Sequence, residues 1–135
     1  MATVEKTSRE TVRAAVVDRI PPQAIDAEVA VIGAMLLDTA AVGAVSEILD
    51  DTAFYKGAHK RIFRAVIDLF SKEEAVDLVT VTQELKRQKV LDEVGGAAYL
   101  SQVLGSVATT ANVRHHAKIV LEKAILRRLI SVATE

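Results

Sequence analysis

The sequence predicts an all-α fold, a small helical bundle of about six helices that ends in one long helix. Half of the 135 residues are hydrophobic, Ala, Val and Leu dominate, and Trp is absent. This composition favours helices packed through small and aliphatic side chains. Apolar residues recur at helical spacing along most of the chain, and the segments between these runs are short, as small helical domains prefer.

The chain opens with residues 1–20, which we expect to be a mobile tail because termini are usually loose. Two prolines, Pro21 and Pro22, end any helix that forms there. The first core helix is predicted in "AIDAEVAVIGAMLLD". Its glycine, Gly33, lowers helix stability, so we expect it to let another backbone approach closely. One face of this helix is apolar and predicted to be buried: Ile25, Val29, Ile32 and Leu36.

The next two helices follow directly. Asp38 is placed to cap the second helix, whose apolar residues are Val42, Val45 and Leu49. The third is predicted to cover residues 51–70, "DTAFYKGAHKRIFRAVIDLF". Its apolar residues share one face and its polar residues share the other: Lys60, Arg61, Arg64, Asp68 and Ser71.

A capping box is predicted at the start of the fourth helix, "TVTQELKRQ". Thr80 would be the N-cap, with Gln83 three residues on. The preceding "VDLV" is predicted to be extended and buried. The fifth helix, "GGAAYLSQVL", is expected to start at Ala97.

Gly95 and Gly96 raise the question of a phosphate-binding loop. A Walker loop needs a lysine and then Ser or Thr after its last glycine, but Ala97 and Ala98 stand there. A dinucleotide fingerprint needs a strand before its glycines, and the surroundings here are helical. We therefore interpret the pair as a tight start for the fifth helix, since glycine tolerates positive φ.

The long last helix, "NVRHHAKIVLEKAILRRLISVATE", presents two apolar faces in succession. The first half carries Val113, Ala117, Val120, Leu121, Ala124 and Ile125 on one arc. From residue 125 the apolar set lies on an arc about 140° away: Ile125, Leu126, Leu129, Ile130, Val132 and Ala133. We expect the first face to pack on its own domain and the second on another element or chain. Burial of both faces by one domain is the alternative.

Charge and composition exclude several classes of function. The net charge is −1, which disfavours a domain that grips the phosphate backbone. We therefore expect the two basic groups to be solvated faces: Lys56, Lys60 and Arg64, and Lys86, Arg87 and Lys89. Cysteine is absent, which excludes disulfides and thiolate sites. No apolar run reaches membrane-spanning length, so we expect a cytoplasmic protein without a membrane partner.

No catalytic, cofactor or metal site is predicted. His115 and His116 are neighbours, and on a helix they point about 100° apart, so they cannot easily share one ion. His59 stands alone on the third helix, where a surface or capping role is expected. The acidic pairs at 50–51 and 73–74 are interpreted as helix-end and loop charges.

Several blocks together resemble the N-terminal domain of bacterial replicative DNA helicases of the DnaB type. They are "RIPPQAIDAEVAVIGAMLLD", "FYKGAHKRIFRAV", "VDLVTVTQELKRQKVLDEVGGAAYLSQVL" and "TTANVRHHAKIVLEKAILRRLI". The resemblance covers residues 19 to about 134. It implies that the parent protein is a hexameric, ATP-driven ring whose ATP and Mg sites lie in a C-terminal RecA-like domain.

The resemblance also implies a role for this domain. In the family, N-terminal domains form a collar of dimers, joined through a hairpin of two helices, and receive the C-terminal domain of primase. DNA would be contacted only through the rest of the ring. We therefore expect a mobile tail (1–20), a globular head (21–111) and a long helix (112–135) that is the truncated first arm of the hairpin.

Two sets of site residues follow from these expectations. The expected subunit interface consists of Ile125, Leu126, Leu129, Ile130 and Ala133. Lys60, Arg61 and Arg64 are the candidate rim of a partner-docking surface. Two alternative functions stay open: the helicase-binding helical domain of a primase and, with less support, a stand-alone helical DNA-binding module.

Overall fold

A computed structural model describes residues 20–134 and contains six α-helices and no strand in that range. The all-α prediction is therefore confirmed. The predicted tail lies outside the described residues except for Ile20, which is exposed. Within 20–134 no helix has both the length and the apolar character needed to cross a membrane. The helices are α1 (Ile25–Leu37), α2 (Thr39–Ser46), α3 (Gly57–Ser71), α4 (Leu78–Arg87), α5 (Gly96–Gly105) and α6 (Val113–Thr134), with a 3₁₀ turn at Asp51–Ala53.

Helix α1 is the central element and packs against α2, α3, α5 and α6. The prediction of a buried helix is confirmed, but the predicted face was too narrow. Ile32 and Leu36 are buried, whereas Ile25 and Val29 are half-buried. Because four helices surround α1, its other sides are also covered: Ala27, Glu28, Val31, Gly33, Ala34 and Met35 are buried.

Gly33 lies where the main chain of α5 approaches α1. A Cβ atom placed there would lie 2.9 Å from the carbonyl oxygen of Val103 and would overlap the Val107 side chain. The expectation that this glycine admits another backbone is confirmed. Contact between main chains at this position holds the end of α5 against the middle of α1.

The start of α2 is as predicted, and the start of α4 is not. Asp38 caps α2 by accepting a hydrogen bond from the N–H of Ala40 at 3.0 Å. The N-cap of α4 is Asp77, three residues before the proposed Thr80, because the Asp77 side chain accepts from the N–H of Thr80 at 2.8 Å. Thr80 in turn accepts from the N–H of Asp77 at 2.9 Å, which completes a capping box.

The extended "VDLV" segment was therefore predicted wrongly over Leu78 and Val79, which are helical. Asp is a strong N-cap residue, and its short side chain reaches the first free N–H groups of a helix. The apolar residues that follow Asp77 then form the first turn of α4.

The third predicted helix is divided in the structure. Residues 51–53 form the 3₁₀ turn, and the Asp50 side chain caps it by accepting from the N–H of Thr52 at 2.9 Å. Phe54 and Lys56 are extended, and α3 begins only at Gly57. Phe54 is almost fully buried, so the extended link seats an aromatic ring in the core and turns the chain into α3.

Candidate functional site

The first half of α6 packs on the head. Val113, Ala117 and Val120 are buried, and Leu121 and Ala124 are half-buried against the core. Helix α6 contacts α1, α2 and the 3₁₀ turn. The expectation that the first apolar face covers its own domain is confirmed.

The second half of α6 leaves large apolar side chains in solvent. Ile125 is 50% exposed, Leu126 38%, Leu129 61% and Val132 63%. We call these four residues the exposed stripe. Ala133 is also exposed, and Ile130 is half-buried. Burial of both faces by one domain is thus not observed within residues 20–134, and a subunit interface here stays a prediction.

A groove of about 510 Å³ runs beside the start of the exposed stripe. The link that follows α2 and the 3₁₀ turn form one wall, and α6 forms the other. Its lining is partly apolar and partly charged: Ile48, Asp50, Thr52, Ala53, Leu121, Ala124, Ile125, Arg127, Arg128 and Ser131. The exposed stripe therefore adjoins a concave surface.

Arg127 joins the second half of α6 to the head. It belongs to neither apolar face predicted for this helix, but it is half-buried. Its guanidinium donates to the carbonyl oxygen of Pro22 at 2.8 Å and to that of Ala53 at 2.7 Å. The sequence signal was faint, because a charged residue within an apolar run is the only sign of such a contact.

The candidate docking rim lies on α3 as predicted, but two of its cations are engaged in ion pairs. Arg61 is 3.1 Å from the Glu93 carboxylate, and Arg64 pairs with Asp51. Lys60 is half-buried. Exposed pairs contribute little stability, so a partner can compete for both arginines. Docking at Lys60, Arg61 and Arg64 remains a prediction.

A buried polar network lies at the junction of α1 and α3. The Glu28 carboxylate accepts from the N–H of Tyr55 at 2.8 Å and from that of Lys56 at 3.3 Å. The same carboxylate lies 2.8 Å from Nδ1 of His59. Because a carboxylate only accepts, Nδ1 is the donor. Glu28 and His59 are 1% and 0% exposed, so this network replaces water for both side chains.

Tyr99 of α5 extends the network to the surface. Its hydroxyl is 2.6 Å from Nε2 of His59 and accepts from Nζ of Lys56 at 3.2 Å. The His59 and Tyr99 rings are stacked, with centroids 5.9 Å apart. In the described part of the chain every buried side-chain N or O atom has a hydrogen-bond partner. The network therefore joins α1, α3 and α5 without leaving a polar group unsatisfied.

The expected surface or capping role of His59 was wrong. His59 is fully buried because Glu28 supplies a buried acceptor opposite it. A signal for this arrangement was present in "AIDAEVAVIGAMLL", where Glu28 and Asp26 are the two charged residues in a run of apolar ones. Glu28 lies four residues before Ile32 and therefore on the same face. A charge at such a position requires a buried partner.

The Gly95–Gly96 pair does not fit a phosphate. Both residues have positive φ, at 106° and 73°, as a tight helix start requires. Their N–H groups donate within the chain, Gly95 to Asp92 at 3.1 Å and Gly96 to Leu91 at 2.9 Å. A Cβ at Gly95 would lie 2.7 Å from Cβ of Tyr99. The pair therefore seats Tyr99 rather than presenting N–H groups to an anion.

The histidines of α6 are side by side, with ring centroids 5.9 Å apart and planes tilted by 52°. Across residues 20–134, His, Asp and Glu side chains form no group of three that could hold a metal ion. The acidic residues at 50 and 51 are engaged locally, Asp50 as a cap and Asp51 with Arg64. Their contacts agree with the interpretation as helix-end charges.

Comparison with known proteins links this architecture to DNA replication. The family model described as the DnaB-like helicase N-terminal domain matches residues 20–122. The replicative DNA helicase DnaB of Geobacillus stearothermophilus is 52% identical over 117 residues, which are 87% of this chain and 26% of that protein. That of Rhodothermus marinus is 50% identical over 116 residues, or 86% of this chain and 12% of that protein. The chain thus spans about a quarter or less of these relatives.

A solved structure shows the same fold. The crystal structure of the N-terminal domain of DnaB helicase from Mycobacterium tuberculosis superposes with a TM-score of 0.83 at 43% sequence identity. The match covers 85% of this chain and 83% of that one. On the evidence of sequence and fold together, the chain belongs to the DnaB-like helicase N-terminal domain family.

Proposed function

We propose that this chain is the oligomerisation and primase-docking domain of a hexameric, ATP-dependent replicative DNA helicase. The observation that carries the proposal is the exposed stripe on α6. Four large aliphatic side chains stand in solvent on one helix, whereas the other large apolar side chains exposed between residues 21 and 134 lie on three different segments: Leu37, Tyr55 and Val79. Contiguous apolar surface of this kind marks interaction sites. The family membership favours this function over a primase domain or a stand-alone DNA-binding module.

Association through the exposed stripe is energetically reasonable. Fully burying one Leu, Ile or Val side chain contributes about 1.5–3 kcal/mol. The four side chains are already partly covered, and association has its own entropic cost. We therefore expect the chain alone to self-associate weakly, and a second helical arm packed beside α6 to strengthen the dimer.

Sedimentation equilibrium over a range of concentrations tests the oligomerisation part. We expect the average mass to rise from monomer toward dimer as concentration increases into the upper micromolar range. A strictly monomeric chain at every concentration, together with a monomeric chain extended by a second arm, would contradict the proposal.

Primase docking is tested with charge reversal on α3. The triple change Lys60→Glu, Arg61→Glu and Arg64→Glu, made in the full-length helicase, should weaken binding of the primase C-terminal domain by roughly tenfold, about 1.4 kcal/mol. Lys86→Glu on α4 is the matched control, since that lysine is exposed on another helix. Equal affinity of the triple variant and the control would remove Lys60, Arg61 and Arg64 from the docking surface.

ATP chemistry belongs, in this proposal, to the rest of the parent protein. We predict that the chain alone neither binds nor hydrolyses ATP, because the Gly95–Gly96 N–H groups are used within the chain and no Walker lysine follows them. Isothermal titration calorimetry with Mg-ATP is the measurement. Saturable binding at micromolar affinity would show that this chain holds a nucleotide site.

A further inference from the structure

Arg127 contacts two parts of the chain that are far from it in sequence, Pro22 and residues 53–55. Its two terminal guanidinium nitrogens donate to the main-chain carbonyls of Pro22, at 2.8 Å, and Ala53, at 2.7 Å. Its guanidinium carbon lies 5.4 Å from the centre of the Tyr55 ring. Pro22 precedes α1, Ala53 ends the 3₁₀ turn, and Tyr55 is in the extended link to α3.

The chemistry of this contact requires arginine. A guanidinium presents several donors in one rigid plane, so it can hold two carbonyl oxygens at once while its face lies against an aromatic ring. A lysine ammonium is a single point charge on a flexible stem and cannot fix both carbonyls in the same way. The contact therefore holds α6 against the head and also fixes the orientation of α6 relative to the head.

Arg127 lies in the middle of the exposed stripe, so its contacts with the head affect where the stripe points. Ile125 and Leu126 of the exposed stripe lie just before it, and Leu129 and Val132 follow it. Beyond Arg127, every residue up to Thr134 is exposed except the half-buried Ile130. Arg127 is thus the last side chain of α6 that is hydrogen-bonded to the head within the described residues.

We infer that Arg127 is a positioning residue, which fixes the angle at which the exposed stripe leaves the head. The inference rests on the proposed function, because the angle matters only if the exposed stripe meets another chain. A helix that is held rigidly on its own head presents the exposed stripe to a second chain in one direction. Arg127 supplies that rigidity at the point where apolar packing on the head ends.

Distance measurement between spin labels tests the inference. The chain has no cysteine, so two introduced cysteines, Gln83→Cys on α4 and Ser131→Cys on α6, give specific labelling at exposed sites. Labelled chain is diluted with unlabelled chain so that only distances within one molecule are recorded. We expect one narrow distribution for the otherwise unchanged protein.

Variants at adjacent arginines separate positioning from charge. Arg127→Gln should at least double the width of the distribution, and Arg127→Lys should widen it although the charge is kept. Arg128→Gln is the matched control, because Arg128 is exposed and adjacent, and it should leave the width unchanged. Spectra are recorded far below each variant's melting temperature, so a small loss of head stability cannot mimic the effect.

Parallel sedimentation distinguishes the inference from the proposed function. A wider distribution together with at least fivefold weaker association in Arg127→Gln, and neither in Arg128→Gln, supports both. A wider distribution in a chain that never associates keeps the positioning role and contradicts the proposed function. Distributions of equal width in Arg127→Gln and Arg128→Gln overturn the inference, whatever the association shows.

Discussion

The two halves of α6 are similarly rich in aliphatic residues and end in opposite environments. Val113, Ala117 and Val120 are between 0% and 8% exposed, whereas Leu129 and Val132 exceed 60%. The difference does not come from helical periodicity, since each half has its own apolar face. It comes from what the rest of the chain places opposite that face. The first face meets α1 and α2, and the second meets solvent.

The head therefore satisfies its buried polar groups, while the second half of α6 keeps apolar side chains in solvent. Inside the head, even a carboxylate and an imidazole have partners on every side. On the second half of α6, by contrast, apolar surface is exposed and only Arg127 makes hydrogen bonds to the head. Stability of the head and association of α6 should therefore respond to different substitutions.

The largest expected effect is on the buried network. Glu28→Leu leaves the N–H groups of Tyr55 and Lys56 and Nδ1 of His59 without their acceptor. Leaving a buried donor without its acceptor costs about 1–3 kcal/mol, so we expect about 3–5 kcal/mol for the three donors together. Urea denaturation should show a loss of this size in the free energy of unfolding.

Asp26→Leu is the matched control for that change, because Asp26 is an exposed carboxylate in the same first turn of α1. It should lose about 1 kcal/mol or less, from the helix dipole alone. If the two substitutions destabilised the head equally, the network would not be what joins α1 to α3.

A second prediction compares two glycines within helices. Gly33→Ala puts a Cβ 2.9 Å from the Val103 carbonyl oxygen and against Val107, and overpacking of this kind costs about 1–3 kcal/mol. Gly43→Ala meets only the Phe70 ring, at 3.7 Å, and should gain up to about 1 kcal/mol of helix propensity. Thermal melts should therefore shift in opposite directions, and equal shifts would show that α1 and α5 do not need close contact.

Much of the fold was predictable because it depends on local periodicity. The six helices, the Asp38 cap and the role of Gly33 all follow from spacing and residue chemistry within about 15 residues. The start of α4 was missed because two capping residues, Asp77 and Thr80, compete three positions apart. Both residue types are common N-caps, although Asp is the stronger of the two.

The network and the Arg127 contact were not predictable in detail because they join distant segments. The network that runs from Glu28 to Tyr99 involves three helices. Arg127 donates to Pro22, which is almost the whole described chain away in sequence. The sequence signals a need for partners at a buried charge, but it does not name them. The exposed stripe was predictable because the change from one apolar face to the other follows from the spacing of apolar residues within a single helix.

The smallest expected effect is an ion pair on α4. Hydrogen bonds from Arg87 and then Gln88 lower the pKa of Glu84 from 4.5 to about 2. A carboxylate with a lowered folded-state pKa stabilises the fold above pH 4.5, and this contribution is lost as the pH falls toward 2. Wild type should be slightly more stable than Glu84→Gln at pH 7, and their melting temperatures should converge at low pH. A constant difference would assign the effect to something other than the Glu84 charge.

The first half of α6 packs on the head, and we expect the second half to pack on a second chain. A double variant tests this expectation directly. Leu126→Asp with Leu129→Asp places two charges in the exposed stripe and leaves Val113, Ala117 and Val120 untouched. Sedimentation of this variant, together with its thermal melt, is the measurement. We expect a monomer at concentrations where wild type associates, with a head that melts within a few degrees of wild type. A variant that still dimerises, or a head that unfolds when these leucines are lost, would contradict it.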